Sequence, residues 1–123
     1  MKKSFQLVAK CCPPKPRLAE RALLSSTRAK ELAGVFKILA NDTRLRLLHA
    51  LDRVGEMRVT DLARAVSLKP QAVSNQLQRL VDRRILASRR RGNNVYYRIV
   101  DPCVGVLLDR GWCLMEDARG RRR

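Results

Sequence analysis

Acidic residues, aromatics and histidine are all scarce in this chain. Only 11 Asp and Glu stand against 27 Lys and Arg, leaving a formal charge of +16 on 123 residues. So strong an imbalance argues against a neutral-surfaced enzyme domain and points to a polyanionic partner, with nucleic acid first and an anionic membrane surface as the alternative. The membrane alternative is weak, because no apolar run approaches the roughly 18 residues a spanning helix needs. The basic residues are also spread over a folded pattern and do not form one amphipathic stripe. Aromatics are 4% of the chain but apolar residues 46%, which predicts one domain with a small core of Leu, Val and Ala.

Other absences narrow the chemistry. With a single histidine, His49, no imidazole metal site can be assembled. There is no glycine loop to cradle phosphate, no pair of carboxylates in a pocket pattern, no nucleophile signature beside His49 and no Cys-x-x-Cys, so an enzyme is not expected. Residues Met1 to Cys11 imitate a lipoprotein leader only superficially. Gln6 interrupts a short apolar patch, and Lys10 stands where a small residue should precede cleavage. The chain is therefore expected to be cytoplasmic, with no membrane partner and with its cysteines reduced.

What is present is ordered as follows. Residues 1–16 form a basic arm ending in Cys11-Cys12-Pro13-Pro14-Lys15-Pro16, where the prolines forbid a helix. Residues 17–117 carry the folded pattern, and residues 118–123 read as a basic disordered tail. A short helical segment is predicted from Arg17 to Leu24, and a longer helix capped by Ser25, Ser26 or Thr27 runs to about Ala40. Its Leu32, Val35, Phe36 and Leu39 repeat as one buried face. Asn41 or Asp42 caps the next helix, with Leu45, Leu47, Leu48, Leu51 and Val54 apolar, Arg44, Arg46 and Arg53 wet, and Gly55 as terminator. A short strand over Met57 to Val59 precedes a helix capped by Thr60, and Ser67-Leu68-Lys69 turns into a helix from Pro70 to Asp82.

On that last helix Val73, Leu77, Leu80 and Val81 share one side, while Gln71, Asn75, Gln78 and Arg79 lie opposite. Strands over Ile85 to Arg91 and Val95 to Val100 flank Gly92-Asn93-Asn94 as a hairpin tip. Asp101-Pro102 opens a final helix to about Asp117. Two helices joined by a tight turn and followed by a basic hairpin make a winged helix-turn-helix, mainly α with a small β wing. The amides and hydroxyl of Gln71, Ser74, Asn75 and Gln78 suit base edges in the major groove. Arg89, Arg90, Arg91, Asn93 and Asn94, with Arg79, Arg83 and Arg84 nearby, suit phosphates or the minor groove. An architectural protein that coats DNA without reading it is the competing class.

The runs Ala40-Asn41-Asp42-Thr43-Arg44-Leu45-Arg46-Leu47-Leu48, Asp61-Leu62-Ala63, Gln71 to Leu77 and Val95-Tyr96-Tyr97-Arg98, in this order and spacing, resemble the ArsR/SmtB family of bacterial metal-responsive repressors over roughly Lys30 to Cys113. The resemblance implies a homodimer that binds a double-stranded operator without any cofactor and releases it when an inducer binds. It also implies that terminal helices pair across the dimer axis, here the segments around Leu18 to Leu24 and Val104 to Met115.

Cys11, Cys12, Cys103 and Cys113 are the candidate inducer ligands, since soft sulfur selects thiophilic ions. Cd, Pb and Hg are candidates on that ground, and arsenite by the resemblance. The chain departs from thiolate-sensing members that carry Cys-Val-Cys early in the helix-turn-helix, because it has Arg58-Val59-Thr60 there. Cys11-Cys12 is similar to the vicinal pair of some arsenic-responsive members. Asp101-Pro102-Cys103 and Cys113-Leu114-Met115-Glu116 stand where zinc-sensing members hold ligands. Ten residues from Cys103 to Cys113 turn a helix by about 1000°, or −80°, so the two thiols are not on one side. The bland reading makes Cys113 a small core residue and His49 a structural or surface residue. A thiol redox or persulfide sensor using a cysteine pair without metal is the second regulatory reading.

Overall fold

The computed structural model describes residues 15–121. After a single 3-10 turn, Leu18–Glu20, the chain is extended to Ser25, so the helix expected over Arg17 to Leu24 is not formed. Leu18 is exposed and Leu23 almost wholly so, so little apolar burial supports a helix here. Five α-helices follow: α1 (Ser26–Leu39), α2 (Asp42–Val54), α3 (Val59–Val66), α4 (Pro70–Asp82) and α5 (Cys103–Arg121). They are interleaved with three strands, β1 (Glu56–Arg58), β2 (Leu86–Arg91) and β3 (Asn94–Ile99).

The helix starts show which local signals worked. Ser25 accepts from the Arg28 N–H and Asn41 from the Arg44 N–H, each satisfying a donor the helix itself cannot, at a gain of about 1 kcal/mol. Helix α3 begins two residues earlier than expected, with Arg58 and not Thr60 at its N-cap and no side-chain cap. The strand before it is correspondingly Glu56–Arg58, and the Arg58 side chain reaches forward to Asp61 instead. Gly55 closes α2 at φ +105°, a conformation that strains any residue with a Cβ. Helix α5 runs to Arg121, so residues 118–121 continue the helix where a tail was expected; Ala118, Arg119 and Arg121 favour helix, and no proline stops it.

The core is one cluster. Leu47, Leu48 and Leu51 of α2, Leu62, Ala63 and Val66 of α3, Val73, Leu77 and Leu80 of α4, Leu39, Leu86 and Tyr97 are its buried members. The sheet is antiparallel in the order β1-β3-β2, so the short strand before α3 becomes the third strand of the wing. The register sets Met57 opposite Tyr97 and Tyr97 opposite Ser88. Met57, Val95, Tyr97, Ile99 and Leu86 consequently share the face against the helices, and Glu56, Arg58, Tyr96, Arg98, Arg89 and Arg91 share the other.

Two apolar surfaces stay outside this core. On α1 the expected buried face is realised only at Leu39, while Leu32, Val35 and Phe36 are exposed, Phe36 at 48%. On α5 the first turns, Val104 to Leu108, are half-buried, and Trp112, Leu114 and Met115 are exposed. Between them an open groove of about 770 Å³ is lined by residues including Phe36, Leu45, His49, Leu107, Trp112 and Met115. At the start of α5 the helix leans on α2 so closely that a Cβ on Gly105 would lie 2.7 Å from Asp52 Oδ1.

Candidate nucleic-acid interface and cysteine site

Helix α4 is positioned from behind and bare in front. Val73, Leu77 and Leu80 are fully buried; Gln71, Asn75, Gln78 and Arg79 are exposed and Ser74 is half-buried. Positions 71, 74, 75 and 78 follow the three- and four-residue spacing that makes a single stripe on a helix. The stripe is pre-ordered by its own bonds, with Gln71 Nε2 donating to Asn75 Oδ1 at 3.1 Å and Gln78 Nε2 to Asp82 Oδ1 at 2.9 Å. Pro70 at the first helical position fixes the entry angle. The turn ahead of it closes through Ser67 in the left-handed region and a Leu68 N–H to Ala63 C=O bond of 3.0 Å.

The wing presents its cations unequally. Gly92 takes φ +64° at the tip, a two-residue connection that leaves Arg90, Arg91, Asn93 and Asn94 exposed. Arg91 lies 5.9 Å over the Tyr96 ring, a cation–π contact that holds the guanidinium on the outer face. Arg89 is committed elsewhere, since its Nε and Nη2 each donate to a Glu56 carboxylate oxygen at 2.8 Å. This fork ties β2 to β1 across β3, and the hydrogen bond from Arg89 holds the Glu56 carboxyl below the usual glutamate range. Likewise the Arg58 hydrogen bond lowers Asp61.

Among the other cations expected on phosphate, Arg84 takes a positive φ of 60° just past α4, and Arg83 turns back over α1, its Nη2 within 3.2 Å of where a Gly34 Cβ would be. Arg58 and Arg98 share the outer face of the sheet with Arg89 and Arg91; Arg58 was missed by sequence reading because β1 was not assigned to the wing. Arg44, expected wet, is buried at 9% exposure. Its Nε donates to Gln76 Oε1 at 2.8 Å and its Nη1 to the Ile38 C=O at 3.0 Å.

The cysteines divide. Cys11 and Cys12 lie outside the described residues. Cys103 opens α5, half-buried, with its N–H donating to Asp101 Oδ1 at 2.8 Å. Cys113 is free and exposed, contrary to its reading as a core residue: the face of α5 that carries it extends beyond the chain's own core. Its Sγ lies 3.7 Å from Asp117 Oδ2. Ten residues of helix separate Cys103 from Cys113 by about 15 Å, too far for one ion to bridge within a chain. Among the described residues, no three His, Cys, Asp or Glu side chains converge on a point that could hold a metal ion. His49 is exposed on the groove. No described helix is long and apolar enough to cross a membrane.

Residues 41–93, from Asn41 ahead of α2 through β2 to the tip of the hairpin, match a model of the MarR family. A transcriptional repressor SmtB homolog of Synechocystis is 41% identical over 85 residues, 69% of this chain and 64% of that protein's length. The crystal structure of the AntR antimony-specific transcriptional repressor superposes with a TM-score of 0.75 at 62% identity, covering 89% of this chain and 98% of that one. The homodimeric winged helix-turn-helix domain of Mb0332 from Mycobacterium bovis, a possible ArsR-family regulator, superposes with a TM-score of 0.68 at 31% identity, covering 82% of this chain and 95% of that one. These likenesses span the helices, the wing and the order in which they follow, and the chain belongs to the ArsR/SmtB family of metal-responsive winged helix-turn-helix transcriptional repressors, regulators and not enzymes.

Proposed function

We propose that this chain acts as a homodimer that holds a two-fold DNA operator and releases it when a trivalent metalloid, arsenite or antimonite, binds cysteine thiolates. The observation that carries the DNA half is the amide and hydroxyl stripe of Gln71, Ser74, Asn75 and Gln78, pre-ordered on a helix anchored by fully buried Val73, Leu77 and Leu80. An ordinary solvated helix face would carry Glu and Lys; bidentate amides read adenine. Arg79, Arg90, Arg91, Asn93 and Asn94 supply backbone contacts, and Arg89 acts mainly as a brace through Glu56. The dimer half is supported by the exposed apolar faces of α1 and α5 and by the homodimeric relative. In place of the segment around Leu18 to Leu24, α1 is the N-terminal partner of α5.

The inducer half draws on soft sulfur donors, which suit thiophilic ions including Cd, Pb and Hg, and on the likeness to a repressor described as antimony-specific. Cys11 and Cys12 are the proposed pair, with a third thiolate from Cys103 or Cys113. The exposure of Cys113 makes it as good a candidate as Cys103. Because the two are far apart along α5, a site using both takes them from different protomers.

The test is selection of duplexes from a random pool, followed by titration of the winner. Binding should exceed non-specific affinity by at least ~10³, and stoichiometric arsenite or antimonite should abolish it in reduced protein. Cys103→Ser and Cys113→Ser proteins should both still bind the operator, and the one that lacks the third thiolate should lose release by at least ~10-fold in metalloid concentration. A ratio near one would leave an architectural DNA binder. The second reading is a thiol redox switch that uses a cysteine pair without metal. In that case a mild oxidant, and not the metalloid, would release the operator, and dithiothreitol would restore binding.

A further inference from the structure

Arg44 stands where three helices meet. The Ile38 C=O belongs to the last turn of α1 and has no acceptor role within that helix; the Arg44 guanidinium caps it at 3.0 Å and is favoured there by the helix dipole. The same guanidinium donates Nε to Gln76 Oε1 at 2.8 Å. Gln76 lies on the inner side of α4 between Asn75 and Leu77, half-buried. A second tie lies at the far end of α4, where Arg83 rests over Gly34 of α1. So the helix that carries the exposed apolar face of Val35 and Phe36 is joined to the helix that carries the base-reading stripe by a short, charge-assisted, largely buried bond.

We propose that Arg44 and Gln76 are positioning residues that lock α4 to α1, so that the geometry of the paired α1 helices sets the distance and rotation between the two recognition helices. Specificity for the spacing of operator half-sites then comes from this strut, apart from the specificity for bases carried by Gln71, Ser74, Asn75 and Gln78. A planar fork that bonds two acceptors on two helices fixes an angle, which a flexible ammonium would not. This inference rests on the operator-binding dimer proposed above.

The experiment uses full-length protein and the duplex it selects, with one and two base pairs inserted at the operator centre. Each insertion rotates one half-site by about 34°. The wild-type protein should lose at least ~10-fold in affinity per insertion. Gln76→Ala should lose less than about 3-fold, with unchanged non-specific affinity, salt slope and dimer mass. Gln76→Glu keeps an acceptor for Arg44 and should restore the wild-type spacing profile. Arg44→Lys, a folded cation without the fork, should behave as Gln76→Ala. A folded, dimeric Gln76→Ala protein with the wild-type profile would overturn the proposal, as would a Gln76→Glu protein no stricter than the alanine variant. If wild-type protein prefers no duplex at all, the operator-binding reading itself fails, a result visible before any variant is made.

Discussion

Side chains that would meet the same duplex are held by different means, and their removal should register differently. Asn75 sits on the stripe of α4 and accepts from Gln71, whereas Arg90 is an unshared cation near the wing tip, exposed to water. Asn75→Ala should narrow the gap between selected and scrambled duplex by about 1–3 kcal/mol. Arg90→Ala should weaken both alike and reduce the salt slope by about one; fluorescence anisotropy across a salt series checks both. Residue by residue, the stripe was legible because helical periodicity places 71, 75 and 78 opposite 73, 77 and 80. Arg44 and Gln76 were legible in the same way, but Arg44 was read as wet and Gln76 was passed over. Arg44 lies three and four residues before Leu47 and Leu48, and Gln76 lies three after Val73, so each is a polar residue on an apolar face. Such a pair is expected to satisfy itself across the interface between two helices. Cys113 was misread because an apolar neighbourhood in sequence, between Trp112 and Leu114, does not say which chain covers it.

Among the elements, the wing is the one whose order is set by an ion pair. Glu56 is held ionised by its hydrogen bond from Arg89. A carboxyl depressed in the folded state stabilises the fold above its unfolded pKa, and that contribution disappears as pH falls through the lowered folded value. The Arg89 Nε–H resonance should accordingly keep its bonded shift through the ordinary glutamate range and lose it only in stronger acid. In Glu56→Gln it should have weak protection at every pH, with β1 amides exchanging faster, while α4 is unchanged. The hairpin itself was plain from Gly92-Asn93-Asn94 between β-forming runs, and Gly92 alone uses the positive φ. The third strand was not, because a three-residue strand such as Glu56–Arg58 has too few positions to show alternation. Its membership is decided by pairing with β3, a contact some forty residues away in the chain.

At the scale of the whole molecule the exposed faces of α1 and α5 dominate. Phe36 at 48% and Trp112 at 60% exposure border one groove, more apolar surface than a chain of this charge would leave to water. Phe36→Glu should shift sedimentation toward the monomer and cost at least ~100-fold in operator affinity, because two half-sites would no longer be bound together. By contrast Leu77→Ala, in the core, should lower unfolding free energy by about 2–5 kcal/mol in urea titration and leave the association state of the folded fraction intact. Periodicity could show that these faces are apolar, but not whether the chain or a second copy buries them.

Gly105 bears on how such a molecule would move. Helix α5 approaches Asp52 of α2 where Gly105 has no side chain, so the two helices meet there through one exposed carboxylate. Rolling α5 by one residue, about 100°, would present branched Val104 or Val106 where only a hydrogen now fits. Asp52 would then have to give way. A tug on the sulfur at Cys103, two residues upstream, would therefore be met first by a turn of that exposed carboxylate, and only a larger roll would press on the shaft of α2, which bears Leu47, Leu48 and Leu51 at its centre.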